Sequence, residues 1–384
     1  MLDGYKIYDA DAHVMMSPKM WQDLPKEYQL RRPRPVQIGD ADDLGGWRSA
    51  WLLDGKLEPH PFGAGTHASN IPGMTMEEYG ATPDKAGDFS GLPQPIGVVD
   101  LSDPDARVTA LDDMGIDVQF LFPSTSYAAT SIDAGFEAAL FRAYNRYVAA
   151  QCKPVASRLK WAGLLPLRDP KESLVAISEM VDLGASAAVV FGTAGEHMLS
   201  DPLFRSSWDA FSDTGLPLCV HMGMSYTPFD KLCYSIQDAN MIGKAMPAQL
   251  AFVAVVGHGM LDRHPGLNVA FLEFGGEWIF YSVGRMRHYQ EVNRKRMANP
   301  AMLPKSNVDD YIQAGRIFLG VEANDSTLPM ELELLGDTQI FYSSDFPHGE
   351  GRDEAAAEII ARNDITGDQK RKILYENAAQ FFES

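Results

Sequence analysis

"IYDADAHVMM", from Ile7 to Met16, begins as a buried strand and breaks into acid, small, acid, small, imidazole. Asp11 and His13 stand two apart, so on a strand both side chains face one side. A buried strand ending in carboxylate and imidazole marks the end of a parallel α/β fold where such folds keep their chemistry.

Seven further apolar runs follow. They are "VQFLFPS" at 118–124, "LKWAGLLPL" at 159–167, "AAVVFG" at 187–192, "LPLCVHMG" at 216–223, "NVAFLEFGG" at 268–276, "RIFLGVE" at 316–322 and "QIFYSSDFPH" at 339–348. Runs this short and this apolar fit strands covered on both faces. Amphipathic segments lie between them. "PKESLVAISEMVDLGA" opens at Pro170 and closes at Gly184, and "DPLFRSSWDAFSDTGLP" again ends in Gly-x-Pro. Eight strands with intervening helices predict an α/β fold of the (β/α)8 TIM-barrel type, one domain over 1–384. The rival, an open doubly wound sheet, calls for a Gly-rich phosphate turn after its first strand, and none is there. Residues 31–100 break the rhythm with Pro, Gly, Asp and Trp. They are predicted to form an ordered insertion over the barrel mouth, because Trp47, Trp51, Phe62 and Met74 give it something to pack.

The chain has 384 residues, within the range of such a barrel, and 45% of them are hydrophobic, enough for a large core. A formal net charge of −19 repels phosphate backbones and argues against nucleic acid. Cys152, Cys219 and Cys233 lack metal-type spacing and suit a reducing cytosol. No leader-like start and no apolar run near the roughly 20 residues of a membrane helix is present, so a cytoplasmic protein without a membrane partner is expected.

The polar residues at the predicted strand ends form a consistent set: Asp11, His13, His221, Glu273, Glu322 and Asp345, with His348 just beyond. Carboxylates gather in a dry mouth only when a cation or partner offsets their desolvation. A divalent metal does so, and mixed imidazole and carboxylate suits iron, zinc or manganese. These seven are the expected metal ligands. Glu273 and Glu322 could instead accept hydrogen bonds from ligand histidines. Asp9, one step behind Asp11, is expected to support the ligands from behind, and Cys219 to fill core. His258 and His264 are read as structural. Four carboxylates and two imidazoles match the ligand set of di-iron carboxylate proteins. The favoured expectation is therefore two irons that activate dioxygen and hydroxylate an apolar substrate. The alternative is one zinc or manganese serving hydrolysis or decarboxylation, with Asp345 moving the proton and Glu273 assisting. Met15, Met16, Met222, Met224, Tyr226, Phe274 and Trp278 could line an apolar pocket or fill core. "GRMRHYQEVNRKRM", with Arg285, Arg287, Arg294, Lys295 and Arg296, could hold a phosphate-bearing carrier such as coenzyme A, though a solvated helix face is the stronger reading.

Several segments, in order, resemble the amidohydrolase-related family, in the branch of aminocarboxymuconate semialdehyde decarboxylase and the dihydroxybenzoate decarboxylases. They are "DADAHV", "LDDMGIDVQFLFPS", "AYNRYVAAQC", "LPLRDP", "LPLCVHMG", "LDRHPGLNVAFLE", "YSSDFPHGEG" and "ILYENAAQFF". The resemblance implies a metal-dependent barrel, a homodimer, and metal held at Asp11, His13, His221 and Asp345. Two positions depart from the better-known members, which carry histidine where this chain has Asp11 and Glu273. In those residue types the chain is similar to a longer subgroup associated with a TIM-barrel non-heme diiron monooxygenase of diterpenoid biosynthesis and, more loosely, with acyl-CoA-type substrates.

Overall fold

The computed structural model describes residues 1–37, 49–58, 95–124, 133–223, 226–232, 238, 241–242, 245–299, 303–348 and 354–383. Eleven strands are formed among them: β1 (Tyr8–Val14), β2 (Arg34–Gln37), β3 (Ser49–Leu53), β4 (Lys56–Glu58), β5 (Val118–Pro123), β6 (Leu159–Leu164), β7 (Ala187–Val190), β8 (Leu218–His221), β9 (Val269–Leu272), β10 (Ile317–Val321) and β11 (Ile340–Tyr342). Eight of these lie side by side in the order β1-β5-β6-β7-β8-β9-β10-β11, and every pairing is parallel. That is the (β/α)8 barrel expected from the sequence, and each of the eight apolar runs supplies one strand.

The strands are buried almost throughout, as continuous apolar runs require when helices cover a barrel. Seven longer helices carry most of that cover: α1 (Pro104–Met114), α2 (Ala134–Cys152), α3 (Pro170–Leu183), α4 (Arg205–Ser212), α5 (Ala245–Phe252), α6 (Trp278–Arg296) and α7 (Leu328–Leu335). The signals at their ends behave as read. Asp169 caps α3 by accepting from the amides of Lys171 and Glu172, Pro170 occupies its first turn, and Gly184 leaves it at φ 79°. Where α3 crosses β6 only glycine fits: a Cβ at Gly163 would stand 2.0 Å from Met180 Sδ. A final helix, Asn377–Glu383, seats Phe382 3.7 Å, ring to ring, from Phe120 and Phe381 4.6 Å from Phe318, so the C-terminus belongs to the same core.

The seam between first and last strands closes through the backbone of the site. The Asp345 amide donates to the Asp11 carbonyl at 3.0 Å, and the His13 amide to the Phe346 carbonyl at 2.7 Å. In β1 the pairing with β5 steps from Asp9↔Gln119 to Ala12↔Leu121, which inserts one residue. Alternation therefore holds from Asp11 to His13 but is broken behind them, and Asp9 acquires neighbours of its own.

Within the predicted insertion, β2, β3 and β4 form a small antiparallel sheet that buries Trp51 and Leu53. Asp54 and Gly55, both at positive φ, make its two-residue turn. Arg31 bonds both carboxylate oxygens of Asp54 at 3.0 Å and reaches Asp133, the cap of α2, at 2.7 Å. Trp47, Phe62, Met74, Met224 and Cys233 lie outside the described residues.

Candidate metal centre

Six of the seven predicted ligands converge at the C-terminal ends of the strands. His221 is the last residue of β8, Glu273 follows β9, and Asp345 follows β11 after two serines. Asp11, His13 and His221 are almost fully buried. His13 Nε2 lies 2.9 Å from Asp345 Oδ1, 3.2 Å from Glu273 Oε2 and 3.6 Å from Asp11 Oδ1. His221 Nε2 lies 3.3 Å from both Asp11 Oδ1 and Glu273 Oε2. Donor atoms bound to one ion at about 2.0–2.2 Å stand about 3–3.5 Å apart in tetrahedral or octahedral geometry. The spacing here is of that size. Among the described residues no donor meets the buried Asp11 Oδ2, and His13 Nε2 faces only carboxylate oxygens. Both are what a missing cation leaves behind.

The donor atoms fall into two overlapping groups, Asp11–His13–His221–Glu273 and His13–Glu273–Asp345–His348. The second contains His348, whose Nδ1 is 2.7 Å from Asp345 Oδ1 and whose ring stacks on His13 at 3.9 Å. His221 Nδ1 is 2.9 Å from the Met222 carbonyl, which fixes a proton on that nitrogen and turns the Nε2 lone pair inward.

Glu322 is the exception. β10 ends at Val321, and Glu322 is exposed, outside both groups. The four-carboxylate count behind the two-iron expectation thus falls to three. His258 contacts Ser200 Oγ at 2.6 Å and His264 approaches Asp209 at 3.9 Å, so neither joins the site. Cys219 is core, as expected. Met15 and Met16 are buried in the core, which favours filling over lining. Three of the five cations of α6 have local polar partners: Arg287 with Asp309, Lys295 with Glu291, and Arg294 with the carbonyls of Pro304 and Lys305. That is the solvated helix face, and it leaves the coenzyme A reading without support.

Glu273 and Asp345 both sit in the left-handed region, at φ 60° and 58°. Non-glycine residues there are uncommon and cost about 1–2 kcal/mol each, and they gather where function over-determines the backbone. For Glu273 this gives a reversal of the usual order. In metal-free protein, Glu273→Gly is expected to be more stable than Glu273→Ala by about 1 kcal/mol, read as midpoint differences in thermal unfolding. The opposite order would remove strain from the account of this site.

The carboxylates and imidazoles of the cluster act strongly on one another. Burial lowers the pKa of His13, but Asp345 and Glu273 overcome it and hold the imidazole well above its usual value. His221 is raised the same way by Asp11. Burial works against Asp345 in turn, yet His348 and His13 keep its carboxyl far below the carboxylate range.

A separate buried acid lies behind the Glu273 loop. Glu331, on α7, meets Thr327 and the bare backbone of Gly276, where a Cβ would stand 1.7 Å from Glu331 Oε1. Burial, with Asp325 nearby, raises Glu331 from 4.5 to about 8. The folded state then holds one more proton than the unfolded chain between those values. Stability is accordingly expected to fall as pH rises from about 4.5 to about 8 and to level off above. Glu331→Gln should flatten that slope in urea titrations at pH 5 and pH 8; an unchanged slope would acquit Glu331.

No helix among the described residues is long and apolar enough to cross a membrane. Comparison with known proteins agrees with the architecture. The chain aligns over 99% of its length, and 99% of the other chain, with an amidohydrolase from Mycobacterium avium subsp. paratuberculosis K-10, at 18% identity and TM-score 0.76. It is similar at 15% identity and TM-score 0.68, covering 99% and 98%, to 5-carboxyvanillate decarboxylase from Novosphingobium aromaticivorans DSM 12444, which was crystallised with manganese and 3-methoxy-4-hydroxy-5-nitrobenzoic acid. A 2,6-dihydroxybenzoate decarboxylase from Rhizobium matches at 18% identity and TM-score 0.63, over 99% of both chains. These likenesses establish the fold. The sequence model of the amidohydrolase family matches residues 9–383, nearly the whole chain, and the protein therefore belongs to the amidohydrolase family.

Proposed function

We propose that this chain is a metal-dependent decarboxylase of a small aromatic carboxylic acid, with the ion held by Asp11, His13, His221, Glu273 and Asp345. One observation carries the reading: two imidazole nitrogens and three carboxylates converge at the strand ends at ligand-to-ligand spacing. The structural relatives named above support the reaction class, two of them being decarboxylases. A bound divalent ion, manganese or zinc, would supply a Lewis acid for the substrate's oxygens.

The chain's own groups do the rest. Loss of carbon dioxide leaves a bonding pair on the ring carbon, and a proton must arrive there. Asp345, 2.7 Å from His348 Nδ1, is the carboxylate able to relay it. Glu273 lies against Nε2 of both His13 and His221, on the side where the ion would sit, and adds negative charge there. Most of the predicted insertion over 31–100, with its expected place over the mouth, lies outside the described residues. A cytoplasmic location is proposed from the cysteine usage and the lack of a long apolar run, and a homodimer from the sequence resemblance.

The test is metal content of protein purified without added metal, followed by ultraviolet assay of hydroxylated benzoates with Mn²⁺. About one manganese or zinc per chain and metal-dependent carbon dioxide release are expected. A metal-free protein with full activity would end the proposal. A second reading, two irons that hydroxylate an apolar substrate with dioxygen, is favoured by the two overlapping ligand groups that share His13 and Glu273. About two irons per chain and oxygen uptake would select it.

A further inference from the structure

Behind the metal-facing side chains lies a second layer of polar residues that shares none of them. Asp9 is fully buried and accepts four hydrogen bonds: from Gln119 Nε2 at 2.7 Å, Ser344 Oγ at 2.6 Å, the Ser344 amide at 2.9 Å and the Asp11 amide at 3.4 Å. Gln119 in turn accepts from Arg107 Nε at 2.8 Å. Arg107 is also fully buried. It donates to the Val98 carbonyl at 3.0 Å and the Phe346 carbonyl at 3.5 Å, and its guanidinium lies 4.4 Å from the Phe346 ring centre. A buried ion pair separated by one amide is a costly arrangement unless every member is satisfied. Here it is assembled from α1, β1, β5 and the segment after β11.

That segment is where the arrangement acts. Ser344 Oγ donates to Asp9 and accepts from the Phe346 amide at 3.0 Å. The Phe346 carbonyl accepts from His13 and Arg107. Asp345, at φ 58°, is thus flanked on both sides by residues tied to the network, while its own side chain points to His13 and His348. Left-handed backbone is uncommon outside glycine and persists where the surroundings hold it.

We propose that Asp9, Gln119, Arg107 and Ser344 form a positioning clasp that locks Asp345 in its left-handed conformation and so sets the metal-facing geometry of that carboxylate. The clasp rests on the metal-centre reading for its purpose, but its action on the Asp345 backbone is separable. Two variants test it without touching a ligand. Ser344→Ala removes the hydroxyl that bridges Asp9 and Phe346. Gln119→Met keeps the side-chain length and cuts Arg107 from Asp9. Both are expected to weaken Mn²⁺ binding, measured by calorimetry on metal-free protein, by about tenfold or more. The paramagnetic resonance spectrum of bound Mn²⁺ should change with it. A packing role alone would lower the unfolding temperature and leave affinity and spectrum as in the wild type.

Affinity within twofold of wild type in both variants would overturn the clasp. If the wild type itself took up no metal, the metal-centre reading would fail, and crystal structures of the two variants would decide the clasp. Asp345 leaving the left-handed region supports it, and Asp345 unmoved in both overturns it.

Discussion

His13→Ala is expected to abolish metal binding, lowering Mn²⁺ affinity by more than about 100-fold, beyond the 10- to 100-fold typical of outer partners. No other single change should cost as much. His13 Nε2 is the one imidazole nitrogen within 3.6 Å of Asp11, Glu273 and Asp345 together, and it belongs to both ligand groups. Its loss also leaves the buried Asp11 and the half-buried Glu273 and Asp345 facing one another without the imidazole between them. The metal-free variant should therefore unfold at a lower temperature than metal-free wild type, an effect independent of any assay for activity. Wild-type Mn²⁺ affinity in His13→Ala would show that the site forms elsewhere or not at all.

The second large effect is one of pH. In metal-free protein His13 and His221 are both raised above 6.5 by their carboxylate neighbours, so near neutrality the imidazoles hold protons where the ion would sit. The sign follows for both binding and stability. Protonated imidazoles paired with carboxylates stabilise the metal-free fold below about pH 6.5, and that contribution is lost as pH rises through the raised values. Metal and protons compete for the same nitrogens, so Mn²⁺ affinity should climb with pH by about tenfold per unit for each proton displaced. With both imidazoles titrating, the slope of log affinity against pH should exceed one between pH 6 and 7. Calorimetry in buffers of different ionisation enthalpy reads the released protons directly. A flat profile with no proton release would mean that the histidines are neutral before metal arrives and that the cluster's carboxylates do not act on them.

Much of this was legible in the sequence, for a physical reason. A parallel barrel buries each strand on both faces, so its strands announce themselves as short apolar runs, and all eight were found. The ligands were legible because the acidic and imidazole side chains of those runs gather toward their C-terminal ends. Glu322 misled because the pattern places a residue at a strand end to within one position, and one position decides between mouth and solvent. Asp9 was placed behind the ligands, but not its partners. Arg107 reads as an ordinary helical cation in "DPDARVTALDD", and nothing near it in the chain says that it is fully buried against β5 and the last loop. Long-range satisfaction of a buried charge leaves no periodic trace. The Asp54–Gly55 turn did leave one, a "DG" pair between "WLL" and "KLE". The strain at Glu273 and Asp345 left none, since neither residue type announces a left-handed backbone.

The seam joining β1 to β11 has a consequence for how the enzyme is made. Asp11 and His13 are made more than 300 residues before Asp345, yet backbone bonds between these segments complete the cylinder. A nascent chain carries one part of the pocket early and cannot finish it until the last barrel strand arrives. Capture of the ion and completion of the fold are thus one late event, and a chain truncated before Ser343 should be deprived of both at once.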